Sequence, residues 1–378
     1  MPIRLAHVVE ATTGGVARHV IDLVTHLDPA EFSCVLYLSF ERPDSWTEPL
    51  RALRQRGVTI REISMARVPN PTAVRQLTGW AQRDAIDILH LHSAKAGYLG
   101  RQTELSRPLI YTPHAFPFQR TTDWRRPLYR MIECRMAART TRIITVSAGE
   151  YDEALEAGLP PEKLTIIPNG LDLAQWPLPT PDERRQARQA LGISDDETLI
   201  GAMARLTPQK GIDLLLQAAE DILPDFPTAR IIIWGDGPQR AMLERMARRL
   251  RLRRVTFAGS TRTPREAYMA MDIFCAPSRW EAGPYAVLEA MASGVPVVAA
   301  DVAGHADAIV EDETGLLAPP ELPGPIAGAL RALLVDEDPR KDMGLAGRLR
   351  VTQHFSVETM VAATANVYRE VAEKYSTQ

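Results

Sequence analysis

The feature that most constrains the fold is an alternation running almost from end to end, in which short apolar, β-branched runs are followed by stretches with apolar residues at helical spacing. Ile3–Val9 is such a run; Thr12-Thr13-Gly14-Gly15 breaks it, and Val16, Val20, Leu23, Val24 and Leu27 then recur three and four apart. Strand-like runs return at 34–38, 86–91, 109–111 and 143–146, each followed by a helical pattern. Strands that alternate with helices build βαβ units and a mostly parallel sheet.

The series is interrupted once. Ile166-Ile167-Pro168-Asn169-Gly170-Leu171-Asp172 leads into a Pro-rich, polar stretch through Asp196, where Pro and Gly punctuate the chain. A second series then begins at 199–203 and continues through 231–234, 255–258, 273–276 and 295–299, with helical runs near 322–334 and 357–374. At about 100–200 residues per domain, 378 residues suit two domains. The expectation is an α/β chain of two doubly wound, Rossmann-like parallel-sheet domains facing a central cleft. They span 1–170 and 171–356, with the C-terminal helix, about 357–378, able to pack back on the first. Ligands in such sheets sit beyond the carboxyl ends of the strands, so the loops after strands are where chemistry belongs.

Composition narrows the function. Hydrophobic residues make up 45% and charged residues 24%, which is ordinary for a soluble globular chain. A net charge of −3 gives no basic footprint for nucleic acid. The first 170 residues carry 21 basic and 18 acidic groups, the remainder 23 and 29, so the halves are mildly cationic and mildly anionic. Three scattered cysteines, Cys34, Cys134 and Cys275, exclude a disulfide framework and point to a reducing compartment. The opening residues read as a strand rather than a signal peptide, and no apolar run reaches the ~18–20 residues of a membrane span. A cytoplasmic location is expected, with a peripheral place at the inner membrane face left open.

The most informative stretch runs from Ser278 to Ala292. A strand ends before it, and a helix is expected to begin with Pro284 in its first turn. The first-turn amides of Tyr285, Ala286 and Val287 would then form an anion site. Glu281 precedes that helix and Glu289 lies inside it; by spacing alone the two are as well read as a capping residue and a solvated one. Arg205 and Lys210 follow another strand, beside a helix expected near Pro208. Arg offers a fork and Lys a point charge, which suits a diphosphate, though exposed cations are common. Trp234-Gly235-Asp236-Gly237-Pro238 is a third strand-to-helix turn, whose glycines permit close backbone approach.

Together these segments resemble the retaining glycosyltransferases of family four, which have the GT-B fold. The likeness is carried by Gly14-Gly15, Pro168-Asn169-Gly170, Arg205-Leu206, Lys210-Gly211, Gly235-Asp236-Gly237-Pro238, the Glu281-to-Glu289 pair, Gly294-Val295-Pro296, Gly304 and Thr314-Gly315-Leu316. It spans most of the chain in order. The resemblance implies that Glu281 lies near the donor sugar and Glu289 binds the ribose hydroxyls. It implies that Arg205 and Lys210 hold the donor diphosphate, that Gly14 and Gly15 let the backbone approach donor and acceptor, and that His114 belongs to the first domain's share of the active site. Catalytic residues would be Glu281, His114, Arg205 and Lys210. Gly235, Gly283, Tyr285, Ala286 and Val287 would add donor contacts, and His92 and Lys95 would border the acceptor. A nucleotide sugar is the implied donor, a UDP-sugar ahead of a GDP-sugar, and no metal is obligatory. The acceptor would be a glycan or lipid-linked glycan of cell-surface polysaccharide synthesis.

Two positions depart from the family pattern. Glu281-Ala282-Gly283-Pro284-Tyr285 stands where many members have Glu-Gly-Phe-Gly, and Pro284 removes an amide donor. Asp307 stands where many have a longer Glu, and it receives no donor role. Other motifs are weaker. His90-Leu91-His92 puts two imidazoles on one strand face, but no Cys or carboxylate accompanies them at metal spacing. The Gly-x-Gly-x-x-Gly, P-loop and Gly-x-Ser-x-Gly signatures are absent. Two Arg-rich stretches, 120–142 and 240–254, carry seven Arg each; the first, with Trp124, Leu128 and Tyr129, would either dock on anionic lipid or be a solvated face. Alternatives to the transferase are a nucleotide-sugar epimerase or phosphorylase on the same fold, or a noncatalytic nucleotide-sugar-binding regulatory subunit.

Overall fold

The structure is a computed structural model describing residues 2–10, 14–41, 47–66, 69–119 and 124–376. The chain divides into two compact units, Met1–Gly170 with Val357–Gln378, and Leu171–Ser356. The first is built on seven parallel strands, β1 (Ile3–Val9), β2 (Phe32–Leu38), β3 (Thr59–Glu62), β4 (Ile88–His92), β5 (Leu109–Thr112), β6 (Arg142–Thr145) and β7 (Leu164–Ile166), in the order β3-β2-β1-β4-β5-β6-β7. The strands are parallel because each is followed by a helical crossover, and helices on both faces bury them. All five residues of β4 are buried, and Leu5, Ile88 and Ile110 pack under Tyr368 of the C-terminal helix Val357–Ser376.

The second unit repeats the plan with β8 (Thr198–Met203), β9 (Ala229–Trp234), β10 (Val255–Gly259), β11 (Ile273–Ala276), β12 (Val297–Ala300) and β13 (Gly315–Ala318), in the order β10-β9-β8-β11-β12-β13. Its two cores lie either side of the sheet, one around Tyr268, Phe274 and Met291, the other around Leu215, Ile231 and Leu330. In each unit the strand order reverses between two neighbours, β1 and β4 in the first, β8 and β11 in the second. At such a switch point the loops leave in opposite directions and open a crevice. The three cysteines are free. Among the described residues no helix is long and apolar enough to cross a membrane.

Several sequence expectations are corrected in detail. The edge strands β3 and β13 and the helix Glu337–His354 were not expected, because they carry too little apolar periodicity to stand out. Pro284 is the N-cap of the helix Tyr285–Ala292 rather than part of its first turn. Pro208–Lys210 is a single 3₁₀ turn, and the α-helix starts only at Ile212, after Gly211 in the left-handed region. The first Arg-rich stretch is helical over Arg126–Ala137 alone; Arg142 opens β6, and Arg120 and Asp123 lie outside the described residues. The second is helical over Arg240–Arg249 only.

Candidate active site

In the second unit four loops leave the carboxyl ends of β8, β9, β11 and β12, and glycines let them touch. Gly211 has φ +63°, and a Cβ there would come within 1.9 Å of the Pro277 carbonyl oxygen, so only glycine lets the loop after β8 lie on the loop after β11. Gly304 packs on the Ala282 carbonyl, 2.6 Å from where its Cβ would be, and its amide donates to the Glu281 carbonyl at 3.0 Å. Gly235 has φ +122° and meets the Ala204 carbonyl in the same way, at 1.9 Å. The amides of Ala204 and Leu206 donate to Trp234 and Asp236, at 3.0 and 2.9 Å, which fixes the loop that carries Arg205. The bare α-carbon of Gly235 thus serves a backbone neighbour.

This stitching brings Lys210 onto Glu281. The Lys210 ammonium donates to Glu281 Oε1, and the Ser278 hydroxyl donates to the same oxygen at 3.0 Å. Burial pushes the Glu281 carboxyl up, but the charges of Lys210 and His305 and the hydrogen bonds of Lys210 and Ser278 together outweigh it, and the group is held below the usual carboxylate range. His305 is buried, with Nδ1 2.8 Å from the Ala300 carbonyl, and burial lowers its pKa against the pull of Glu281. Arg279 adds a clamp by donating to both Asp213 oxygens, at 2.9 and 2.7 Å, while its amide donates to the Gln209 carbonyl at 2.7 Å. Arg279, Asp213, Gln209 and His305 were not singled out from sequence. Sixty-six positions separate Arg279 from Asp213, so no local spacing announces the pair.

Glu289 accepts from the buried Tyr268 hydroxyl at 3.0 Å. Arg205 is exposed and Gly283 half-buried. The amides of Val287 and Leu288 donate to the Pro284 carbonyl, at 3.1 and 3.2 Å. That corrects the expected anion site, because the Val287 amide is spent inside the helix's own first turn, leaving Tyr285 and Ala286 ahead of it.

In the first unit, Gly14 (φ +71°) opens the helix Gly14–His26, and it and Gly15 are exposed. Lys95 was expected to wait for an anionic group, but it pairs with the buried Glu10 at 3.4 Å. His92, on β4, is fully buried, with Nδ1 3.3 Å from Nε2 of His114. His114 sits just past β5 at φ +51°, in the left-handed region that costs a non-glycine residue about 1–2 kcal/mol.

With this geometry in view, the chain matches two family models: glycosyl transferases group 1 over residues 183–350, and glycosyltransferase family 4 over residues 13–175. It is 31% identical to a D-inositol 3-phosphate glycosyltransferase of Geodermatophilus obscurus over 76% of this chain and 67% of that one. The chain belongs to the group 1, family 4 glycosyltransferases. It is also 33% identical to the lipopolysaccharide core biosynthesis mannosyltransferase LpsB of Rhizobium meliloti, over 55% of this chain and 61% of that one. The matched stretch therefore spans about three fifths to two thirds of these relatives' own length. Among solved structures the Anabaena protein Alr3699/HepE, in complex with UDP and glucose, superposes with a TM-score of 0.85 at 20% identity, covering 97% of this chain and all of that one. That likeness places this family 4 chain in the GT-B fold.

Proposed function

We propose that this chain moves a sugar from a nucleoside diphosphate sugar to a glycan or lipid-linked acceptor, with retention of anomeric configuration, in cell-surface polysaccharide synthesis. A UDP-sugar is the preferred donor, in keeping with the UDP bound by the Anabaena protein, and the lipopolysaccharide assignment of LpsB supports the class of acceptor. Residues 171–356 hold the donor; residues 1–170, with the C-terminal helix, serve the acceptor, with His92 bordering it, His114 in that unit's share of the active site, and Gly14 and Gly15 letting the backbone approach donor and acceptor.

The observation that carries this reading is the half-buried Lys210–Glu281 pair at the β8/β11 switch point, with side chains 24% and 9% exposed. A buried ion pair contributes little net stability compared with apolar packing of the same volume. Its value lies in what replaces it. A diphosphate arriving beside Lys210 and Arg205 carries more negative charge than one carboxylate and draws the ammonium away, which frees Glu281 for the hydroxyls of the donor sugar. Glu289, steadied by Tyr268, takes the ribose hydroxyls. As the bond to the leaving diphosphate lengthens, Arg205, Lys210 and the amides at Tyr285 and Ala286 stabilise the charge that grows there. The leaving oxygen takes the acceptor proton, so no protein carboxylate acts as nucleophile and no metal is needed at the diphosphate.

The chain works in the cytoplasm. The helix Arg126–Ala137 supports a peripheral membrane contact, because it presents Arg126, Arg130 and Arg135 together with Leu128 and Met131 (60% exposed), just after Trp124 (76% exposed). Incubation with a panel of nucleotide sugars tests the donor reading through release of nucleoside diphosphate, and proton NMR of the product reports the anomeric outcome. Release that is unchanged in Lys210→Ala would overturn the assignment.

A further inference from the structure

Five of the chain's eight histidines, His7, His19, His90, His92 and His114, collect around β1, β4, the loop after β5 and the first helix of the first unit. One ring nitrogen from each of His19, His92 and His114 lies within 4.8 Å of the others. His92 Nδ1 and His114 Nε2 are 3.3 Å apart. Tetrahedral bonds of about 2.0–2.1 Å from zinc to imidazole place two ligand nitrogens roughly 3.3–3.4 Å apart, so this pair already stands at the ligand–ligand edge.

The other nitrogens of these rings are held in the manner of metal ligands, whose second N–H is nearly always given to a fixed acceptor. His19 Nδ1 is 3.0 Å from Asn169 Oδ1, which takes its proton and leaves Nε2 as the lone pair. His92 Nε2 is 3.1 Å from His7 Nδ1, and donation to it leaves Nδ1 of His92 as the lone pair toward His114. Among the described residues His7 Nε2 is buried with no hydrogen-bond partner, so the polar cluster is incompletely satisfied as it stands. His90 is excluded as a ligand, since Tyr368 Oη and Thr112 Oγ1 occupy both of its nitrogens at 2.6 and 2.8 Å.

We propose that His19, His92 and His114 form a site for a borderline transition-metal cation of the zinc class, with Asn169 and His7 orienting the ligands and the fourth position open. Three imidazoles are the ligand set of an accessible zinc site. His114 is half-buried and forms the edge through which an ion enters. These ligands lie in the first unit and the Lys210–Glu281 pair in the second, and the test does not depend on the transferase reading.

Chelator-treated full-length protein is titrated with Zn²⁺ by calorimetry and with Co²⁺ by visible absorption. About one Zn²⁺ per chain and the intense bands of tetrahedral Co²⁺ are expected. His92→Ala and His19→Ala should abolish that binding, and Asn169→Ala should weaken it about 10–100-fold. His114→Ala, at the half-buried edge, serves if the interior variants fail to fold, and exposed His354→Ala is the control. Absence of stoichiometric binding, weak octahedral Co²⁺ bands, or wild-type affinity in a folded His114→Ala protein would each overturn the site.

Discussion

At its switch point the second unit holds Lys210 against Glu281; around β1 and β4 the first holds His92 against His7 and His114. Both clusters sit on parallel sheets of the same winding, yet one is ionic and the other neutral. In the second unit opposite charges offset burial, and Glu281 stays ionised below the ordinary carboxylate range. In the first the groups are alike, so burial and mutual repulsion disfavour the charged form of the buried rings, and His7 is lowered to about 3. The topology fixes where polar groups can gather, and the side chains decide whether they gather as ions or as lone pairs.

Acid should separate the units most strongly. Below pH 6.5 the unfolded chain protonates His7 and His19 while the folded chain does not, so their contribution is complete above 6.5 and declines as pH falls toward 4 and 3. At about 1.4 kcal/mol per pH unit per ring, these two account for roughly 4 kcal/mol by pH 5. His90 and His92 add to it in the same direction. The second unit has one such ring, His305, and Glu281 loses its contribution only as pH falls below 4.5 toward its lowered folded value. Hydrogen exchange on metal-free protein between pH 6.5 and 4.5 should therefore show β4 losing protection before β11. Equal loss in both strands would contradict the contrast.

The ionic cluster should answer to substitution above all in turnover. Lys210→Ala should remove roughly 2–4 kcal/mol of transition-state stabilisation, about 30- to 900-fold in kcat. Arg205→Ala should act in the same direction. Melting temperature and far-UV circular dichroism should stay near wild type for exposed Arg205→Ala, so that a loss of rate there is a loss of chemistry. Full activity in either variant would sever the pair from the diphosphate.

Much of this was legible in the chain. Alternating apolar runs announced both sheets, because buried parallel strands have no polar face to blur the pattern. Glu281, Lys210, Arg205 and Glu289 could be singled out because they lie on strand-end loops or on the helix that follows, within recognisable motifs. The cluster of imidazoles was not. His7 and His19 are separated from His92 by more than seventy residues, and a histidine inside an apolar strand reads as an ordinary core residue until β1 and β4 are paired. Lys95 misled for the converse reason: its partner, Glu10, sits across the switch point.

Glycines sharpen the comparison on a smaller scale. Gly211 and Gly14 share positive φ, near +63° and +71°, but a Cβ at Gly14 meets nothing within 4 Å among the described residues, whereas at Gly211 it strikes the Pro277 carbonyl. Gly14→Ala should lower stability by about 1 kcal/mol through backbone strain alone. Gly211→Ala adds a collision with backbone and should lower it by roughly 2–3 kcal/mol, pushing Lys210 off Glu281 as it does so. Thermal melts distinguish the two, and equal shifts would mean that the loops after β8 and β11 are not held by that contact.

The two glutamates divide the second unit's own site, and the expected difference is the smallest of these effects. Glu289 lies inside the helix Tyr285–Ala292, with its carboxylate fixed by Tyr268, and is assigned to the ribose. Its truncation should weaken binding of a nucleoside diphosphate about tenfold, or roughly 1.4 kcal/mol, the usual loss for hydrogen bonds to a charged group. Glu281 is assigned to the transferring sugar, which a nucleoside diphosphate lacks. Its truncation should leave that affinity nearly intact, or raise it, since Lys210 would then be released for the phosphates in advance. Calorimetry with UDP measures both. A stronger loss in Glu281→Ala than in Glu289→Ala would reverse the two roles, and it would mean that the Lys210–Glu281 contact shapes the phosphate site instead of competing with it.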